Sequence, residues 1–398
     1  MKNNFEKILK TKKNGIILEP KYNDNSKNII PYFKKKKNYF HLELYSIFQL
    51  FLFWHTFLSF PRKTLSYDNY IELKVNGTGT NQIISNDYYN IPSVSIVGRT
   101  ETIISKTIYV SNIGETIKLS WNGGTLSNFA YMFNDLANIV YVKINYMLQQ
   151  HSDLSYMFLN CINLKTFEYT IDYDRSHVIK NIRGLFYNCT SLTSFSFSNL
   201  YFSYYDSVKR YKIDGRYWYT DYYYNYINMS QMFYNCLQLK TIYTGSNSFR
   251  NINDMREMFY NCISLTTINL QNFYTNTGLN ASYMFYNCNE ITNISLGFTG
   301  NTFYPNDISF MFYNCISLKG LKINYFSTYY TQNMIYMFYN CKTLVDLSLT
   351  NTYFDNYYVV NMKGVFQNCE SLTTFDLSNF KTPQVEIMWD MFKGCKSL

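Results

Sequence analysis

Two kinds of apolar spacing alternate along most of this chain. Around Cys262, the apolar residues Met255, Met258 and Phe259 stand at i, i+3 and i+4, the spacing that faces one side of a short helical turn. Asn261 and Cys262 follow, and then Leu265, Ile268 and Leu270. In that last stretch apolar and polar positions alternate, as a strand with one buried face requires. The same six-residue pattern stands at Ile139–Ile144, Leu164–Tyr169, Leu192–Phe197, Leu239–Thr244, Ile291–Leu296, Leu318–Ile323, Leu344–Leu349 and Leu372–Leu377. Each strand pattern is followed by a polar, variable stretch (such as 271–278), and then by the next Met-Phe turn.

The turn itself reads Met-Phe-Tyr-Asn-Cys-x-Ser-Leu-Thr, and it carries every cysteine: Cys161, Cys189, Cys236, Cys262, Cys288, Cys315, Cys341, Cys369 and Cys395. A copy with Leu136 in the Cys register precedes them. A period of 26 to 28 residues means a solenoid, in which each unit buries its apolar face against its neighbours. The expected fold class is an α/β solenoid of leucine-rich-repeat type. It has about ten repeats, one parallel β-sheet, short helical turns and a β-rich N-terminal cap. The Phe of each turn, from Phe133 to Phe392, is expected to stack into an aromatic spine. The cysteines read either as buried free thiols or as disulfides. Their common register leaves none with a partner inside its own repeat, and nine is odd, which favours thiols. The Asn before each Cys from Cys161 to Cys369 is expected to form a side-chain ladder satisfying loop backbone groups.

This pattern, M-F-x-x-C-x-S-L-T-x-[LIF]-x-L, resembles that of the BspA-type leucine-rich-repeat surface proteins, with residues 372–382 the closest stretch. The resemblance covers roughly residues 116 to 398. It implies a leucine-rich-repeat solenoid and a cell-surface role in adhesion or matrix binding, and it carries over no invariant binding residue.

The rest of the chain is of another kind. Residues 1–38 hold eleven Lys against Glu6, Glu19 and Asp24, a net of +8 in a chain of +9, and read as a disordered basic tail. Because the charge lies off the repeats, nucleic acid is not expected as a partner. Residues 39–61 contain a sixteen-residue run without charge, Tyr45 to Phe60, which reads as a signal or anchor segment that would tie the chain to a membrane. The alternative is a buried segment of the solenoid cap. Residues 62–115 form the expected β-rich cap and 116–398 the solenoid. The last repeat stops at Leu398, where its strand should begin, as in a truncated sequence or one whose edge another molecule covers. An excess of about 20 residues lies between Cys189 and Cys236, an insertion at about 200–227 rich in Tyr.

No catalytic motif accompanies the four histidines, and neither metal ligands nor cofactor fingerprints occur at recognisable spacing, so no catalytic, cofactor or metal site is expected. The candidate contacts for a partner are Tyr217, Trp218, Tyr219, Tyr222 and Tyr223 of the insertion, residue types that anchor interfaces. To these are added the outward sheet positions Glu168, Tyr243, Lys322, Asp346 and Asp376. The expected function is a non-catalytic cell-surface or secreted adhesion module for a protein or glycan. The alternative is an intracellular scaffold tethered by its basic arm. Sequons at Asn76, Asn188, Asn228, Asn280 and Asn293 are as frequent as an Asn-rich chain produces by accident.

Overall fold

The computed structural model describes residues 69–398 apart from 122–125, 146–147, 171–178, 199, 201–204, 214–216, 225, 246–248, 271, 298–302, 325–326, 346–355 and 375–381. The basic tail and the hydrophobic run 45–60 lie outside the described residues. From residue 126 the chain winds as a β-solenoid, and the Met-Phe turn of each coil forms its wall.

That wall is not helical, which corrects the expected helical turns: the described residues contain no helix. Its backbone bonds alternate instead. In the coil of Phe259, the N–H groups of Glu257, Phe259 and Asn261 donate to Ser282, Met284 and Tyr286 of the next coil at 2.8–3.0 Å. Those of Met258, Tyr260 and Cys262 donate three residues back within their own coil, at 3.1–3.2 Å. Glu257 and Asn261 both have φ of 57°, and the same two positions are left-handed in coil after coil, from Tyr131 and Asp135 to Gly364 and Asn368. A left-handed residue every fourth position forbids an α-helix, whose residues all need negative φ. Met255, Met258 and Phe259 are buried all the same, so consecutive turns present the apolar face that the spacing called for.

The ten Phe form one column with centroids 5.2–5.7 Å apart and planes within 13° of parallel. The column continues from Phe186 to Phe233 at 5.7 Å, so the insertion is extruded without disturbing it.

Two sheets complete each coil. The leucine pattern gives seven strands among the described residues, in three separate parallel blocks where an unbroken sheet of about ten was expected. Ile139–Asn145 pairs with Thr166–Thr170, Ser194–Ser196 with Thr241–Tyr243, and Thr267–Asn269 with Asn293–Gly297 and Gly320–Asn324. The later leucine-pattern stretches, around 346–350 and 375–378, lie largely outside the described residues. The second sheet was not foreseen. It runs in parallel through Leu126–Asn128, Leu148–Asp153, Ile179–Asn181, Ile227–Asn228, Phe249–Asp254, Phe273–Asn280 and Pro305–Asp307, and continues as single bridges to Asn333, Asn361 and Ile387. Register shifts break most of its pairings, so its buried residues (Ile252, Phe273, Leu279) lack a clean period of two and read as loop.

At the N-terminal side Tyr70–Val75 lies antiparallel to Ile139–Asn145 and to Ile117–Ser120, and Ser93–Ile96 and Thr102–Ile104 extend that sheet. The first leucine strand therefore has both edges paired, one by the next coil and one by Tyr70–Val75.

Candidate functional site

Most of the distinctive residues of the repeat are engaged with their counterparts in neighbouring coils. The cysteines are free, and all but Cys395 are fully buried. Each thiol donates to the Phe carbonyl of the preceding coil, from Cys161 on Phe133 at 2.9 Å to Cys395 on Phe366 at 3.1 Å. That carbonyl also accepts the N–H of its own coil's Cys, as Phe259 does from Cys262. Cys thus supplies a small donor to the second lone pair of a buried carbonyl. Burial raises the thiol pKa values, holding the groups protonated and unreactive.

The Asn before Cys does form a ladder, but its partners are other Asn amides rather than loop backbone. Nδ2 of Asn261, Asn287, Asn314 and Asn340 donates to the Oδ1 of the preceding Asn at 2.8–2.9 Å. The position is also left-handed, which Asn tolerates better than most residues. Beside it, the half-buried rings of Tyr187, Tyr234, Tyr260, Tyr286, Tyr313 and Tyr339 stack at 4.4–4.7 Å within 6° of parallel. Their faces cover one another. A further column was missed: five residues before each Phe from Phe133 to Phe366 stands an Asx whose Oδ1 accepts the N–H two residues on, at Asn128, Asp153, Asn181, Asn228, Asp254, Asn280, Asp307, Asn333 and Asn361. Asn228 and Asn280, the first residues of two sequons, also accept the hydroxyls of Ser230 and Ser282.

Five tyrosines outside these columns meet where the leucine strand passes to the second sheet. In two successive coils this corner is a tight turn, closed by Thr331 N–H on Thr328 O (2.9 Å) and by Val359 N–H on Asn356 O (3.2 Å). The central residues are Tyr329 and Tyr330 in one turn and Tyr357 and Tyr358 in the next. Tyr329 stacks on Tyr357 at 5.4 Å, and Tyr330 lies parallel to Tyr358 at 6.3 Å. The rings within each turn stand nearly perpendicular, and Tyr304 of the preceding coil meets Tyr330 edge-on. Tyr330, Tyr357 and Tyr358 are 45, 43 and 39 % exposed, so this grid faces solvent. Tyr358 beside Tyr329 holds the Tyr329 phenol above its ordinary pKa, by its charge first and by a hydrogen bond. The grid rests on a fixed base. Thr331 Oγ1 donates to Pro305 O, Asn356 N–H to Thr328 Oγ1, and Gln332 N–H to Asn306 O. In the next coil the corresponding turn is Thr382 to Val385, with Pro383 and Gln384 at its centre. These turns lack the Gly or Asn that usually marks a centre, but two Tyr-Tyr pairs 28 residues apart, one repeat, were a signal in the sequence.

The sequence-derived contacts are dispersed. Tyr217, Trp218, Tyr219, Tyr222 and Tyr223 lie on the strand Tyr217–Tyr224, which pairs antiparallel with Tyr205–Ile213 in a hairpin. Glu168 is exposed beside Lys143 on the next strand, and Tyr141 donates a hydrogen bond to it. Burial, then that carboxylate, pushes the Tyr141 pKa up to about 12. Tyr243 is exposed opposite Ser196, and Lys322 lies opposite Ser295. Asp346 and Asp376 fall outside the described residues. None of the described ones belongs to the tyrosine grid. Among the described residues no group of His, Cys, Asp and Glu is arranged to hold a metal ion.

Comparison with known families covers most of the repeats. Residues 224–344 match the BspA type leucine rich repeat region in six copies. Residues 109–200 and 306–398 match the family described as Mycoplasma protein of unknown function, DUF285. No curated protein matches the chain. Repeats of this type build interaction modules, and motif, coil geometry and matches agree: residues 224–344 are similar to the BspA type leucine rich repeat region, and the coils on either side to DUF285.

Proposed function

We propose that this chain is a non-catalytic interaction and adhesion protein of the cell surface, a solenoid of about ten coils held to the membrane through residues 39–61. Its partner is a protein or a glycan. The observation that carries this reading is the division of labour within a coil. Phe, Cys, Asn and the stacked Tyr are occupied by their neighbours, while the turn tyrosines Tyr330, Tyr357 and Tyr358 are ordered and open to solvent. Ordered exposed aromatics lose little conformational entropy on binding, which is why Tyr is enriched at contact surfaces. The hairpin carrying Tyr217 to Tyr223 is assigned to the same contact, because insertions in solenoids go to loops on one face.

Protease treatment of intact cells bearing a C-terminal epitope tests the location. Loss of the epitope with the membrane unbroken is expected. Full protection until lysis would move the search for partners inside the cell, to a scaffold tethered by the basic arm. Deleting residues 201–226 with the coil register kept is expected to weaken partner binding without unfolding the coils; undiminished binding would remove the hairpin from the contact.

A further inference from the structure

We propose that the tyrosine grid binds a neutral, extended oligosaccharide lying along the solenoid axis; the proposal rests on the interaction-module reading and names the ligand class of one site within it. Charge supports it first. The corner segments 303–306, 327–333 and 356–361 contain no Lys, Arg, His, Asp or Glu, so they offer no ionic contact to an acidic or basic ligand. What they present is part-exposed tyrosine rings with their phenol hydroxyls, with Gln332 exposed beside them. A π face is electron-rich and attracts the polarised C–H face of a pyranose, while phenols and amides donate to and accept from its hydroxyls.

The spacing supports the orientation. The ladder tyrosines stand 4.4–4.7 Å apart, whereas Tyr330 and Tyr358, parallel within 8°, stand 6.3 Å apart and remain 45 and 39 % exposed. One coil step, about 4.8 Å at the spacing of parallel strands, is comparable to the advance of one pyranose residue in an extended chain, and the Tyr329 and Tyr357 rings lie 5.4 Å apart across it. A proline-rich peptide repeats every ~9 Å and would not meet equivalent rings in adjacent coils. The turns are also fixed before binding by Asn356 N–H on Thr328 Oγ1 and by Thr331 Oγ1 on Pro305 O, so little ordering remains to oppose association.

The test is calorimetry on the full chain with cellohexaose, xylohexaose, mannohexaose and N-acetylated chitohexaose, beside a heparin hexasaccharide and a proline-rich decapeptide. At least one neutral hexasaccharide is expected to bind, and Tyr330→Ala/Tyr358→Ala is expected to weaken it about tenfold or more with an unchanged melting curve. Tyr330→Phe/Tyr358→Phe keeps the ring faces and is expected to retain most of the binding. No heat with any neutral sugar, or equal binding by the alanine variant, overturns the proposal. Binding of the peptide or heparin alone also overturns it, yet leaves an interaction module in place, and surface exposure is read separately by the protease experiment.

Discussion

Asn261 holds two roles that substitution can separate. Its φ is 57°, its Nδ2 donates to Asn235 Oδ1 at 2.9 Å, and its Oδ1 accepts from Asn287 Nδ2 at 2.9 Å. Asn261→Ala removes both amide bonds, at ~1 kcal/mol each, and leaves a residue with Cβ in the left-handed region at ~1–2 kcal/mol. The sum is ~3–4 kcal/mol. Asn261→Gly loses the same bonds without the strain, and its greater freedom in the unfolded chain costs only ~0.5–1 kcal/mol. Alanine should therefore be the worse replacement by ~0.5–1 kcal/mol, reversing the usual order of the two in regular structure. Coils contact only their neighbours, so unfolding need not be two-state; amide hydrogen exchange across residues 255–262 and 281–288 reads the local cost. Glycine proving worse than alanine would refute the backbone half of the reasoning. Both variants falling within ~0.5 kcal/mol of the parent would refute the ladder.

Three further outcomes follow from the same columns. With a thiol reagent at mild alkaline pH, Cys395, half-exposed in its coil, should react first and the eight buried cysteines only on unfolding; fast reaction of Cys262 in the native chain would contradict its burial. A Cβ on Gly184, at φ 57°, would overlap the Tyr156 ring, so Gly184→Ala should cost ~3 kcal/mol in denaturant melts. Adding Tyr156→Ala should recover the overlap and not the backbone strain, and strictly additive costs would show that the ring is not the obstacle. Burial raises the phenol pKa values of Tyr187, Tyr234, Tyr260, Tyr286 and Tyr313 above the ordinary 10.0. A group whose folded pKa is raised stabilises fully below its unfolded pKa, so this stability should hold to pH ~10 and fall as pH climbs toward the folded values. An ultraviolet titration in which all tyrosines ionise together near 10 with the fold intact would count against the stack.

The buried column was legible because identical residues recur at one period: Phe133 to Phe392 stack as their spacing implied, and the cysteines are free as their common register implied. The helical reading failed because three apolar residues at i, i+3 and i+4 fit successive turns as well as a helix. The Asn before eight of the nine cysteines, and Gly184 and Gly364 at the partner position, pointed to positive φ, but that partner position is elsewhere filled by Tyr156, Glu257 or Phe310, types that give no such signal. The second sheet escaped because its order lies in the backbone and in the Asx that ends each strand, while its own side chains vary from Phe249 to Pro305. The tyrosine grid escaped for a related reason: in a chain with 42 Tyr, two Tyr-Tyr pairs are conspicuous only when placed on the coil.

On the proposed reading, that contrast assigns recognition to one part of the repeat. A residue that touches its own counterpart above and below, as Asn287 touches Asn261 and is touched by Asn314, must match both neighbours, and a change at one coil breaks two contacts. Such positions stay uniform and can carry no ligand-specific pattern. Variation is free where the chain leaves the leucine strand for the second sheet. Both irregular aromatic elements branch there: the hairpin between Ser194–Ser196 and Ile227–Asn228, and the turns at Tyr329 and Tyr357. Four coil steps, from Phe186 to Phe312, separate the hairpin's coil from the first of those turns, about 19 Å at the spacing of parallel strands. A ligand that engages both must be at least that long, so a chain-like or multivalent partner fits the two elements together and a small molecule fits only one.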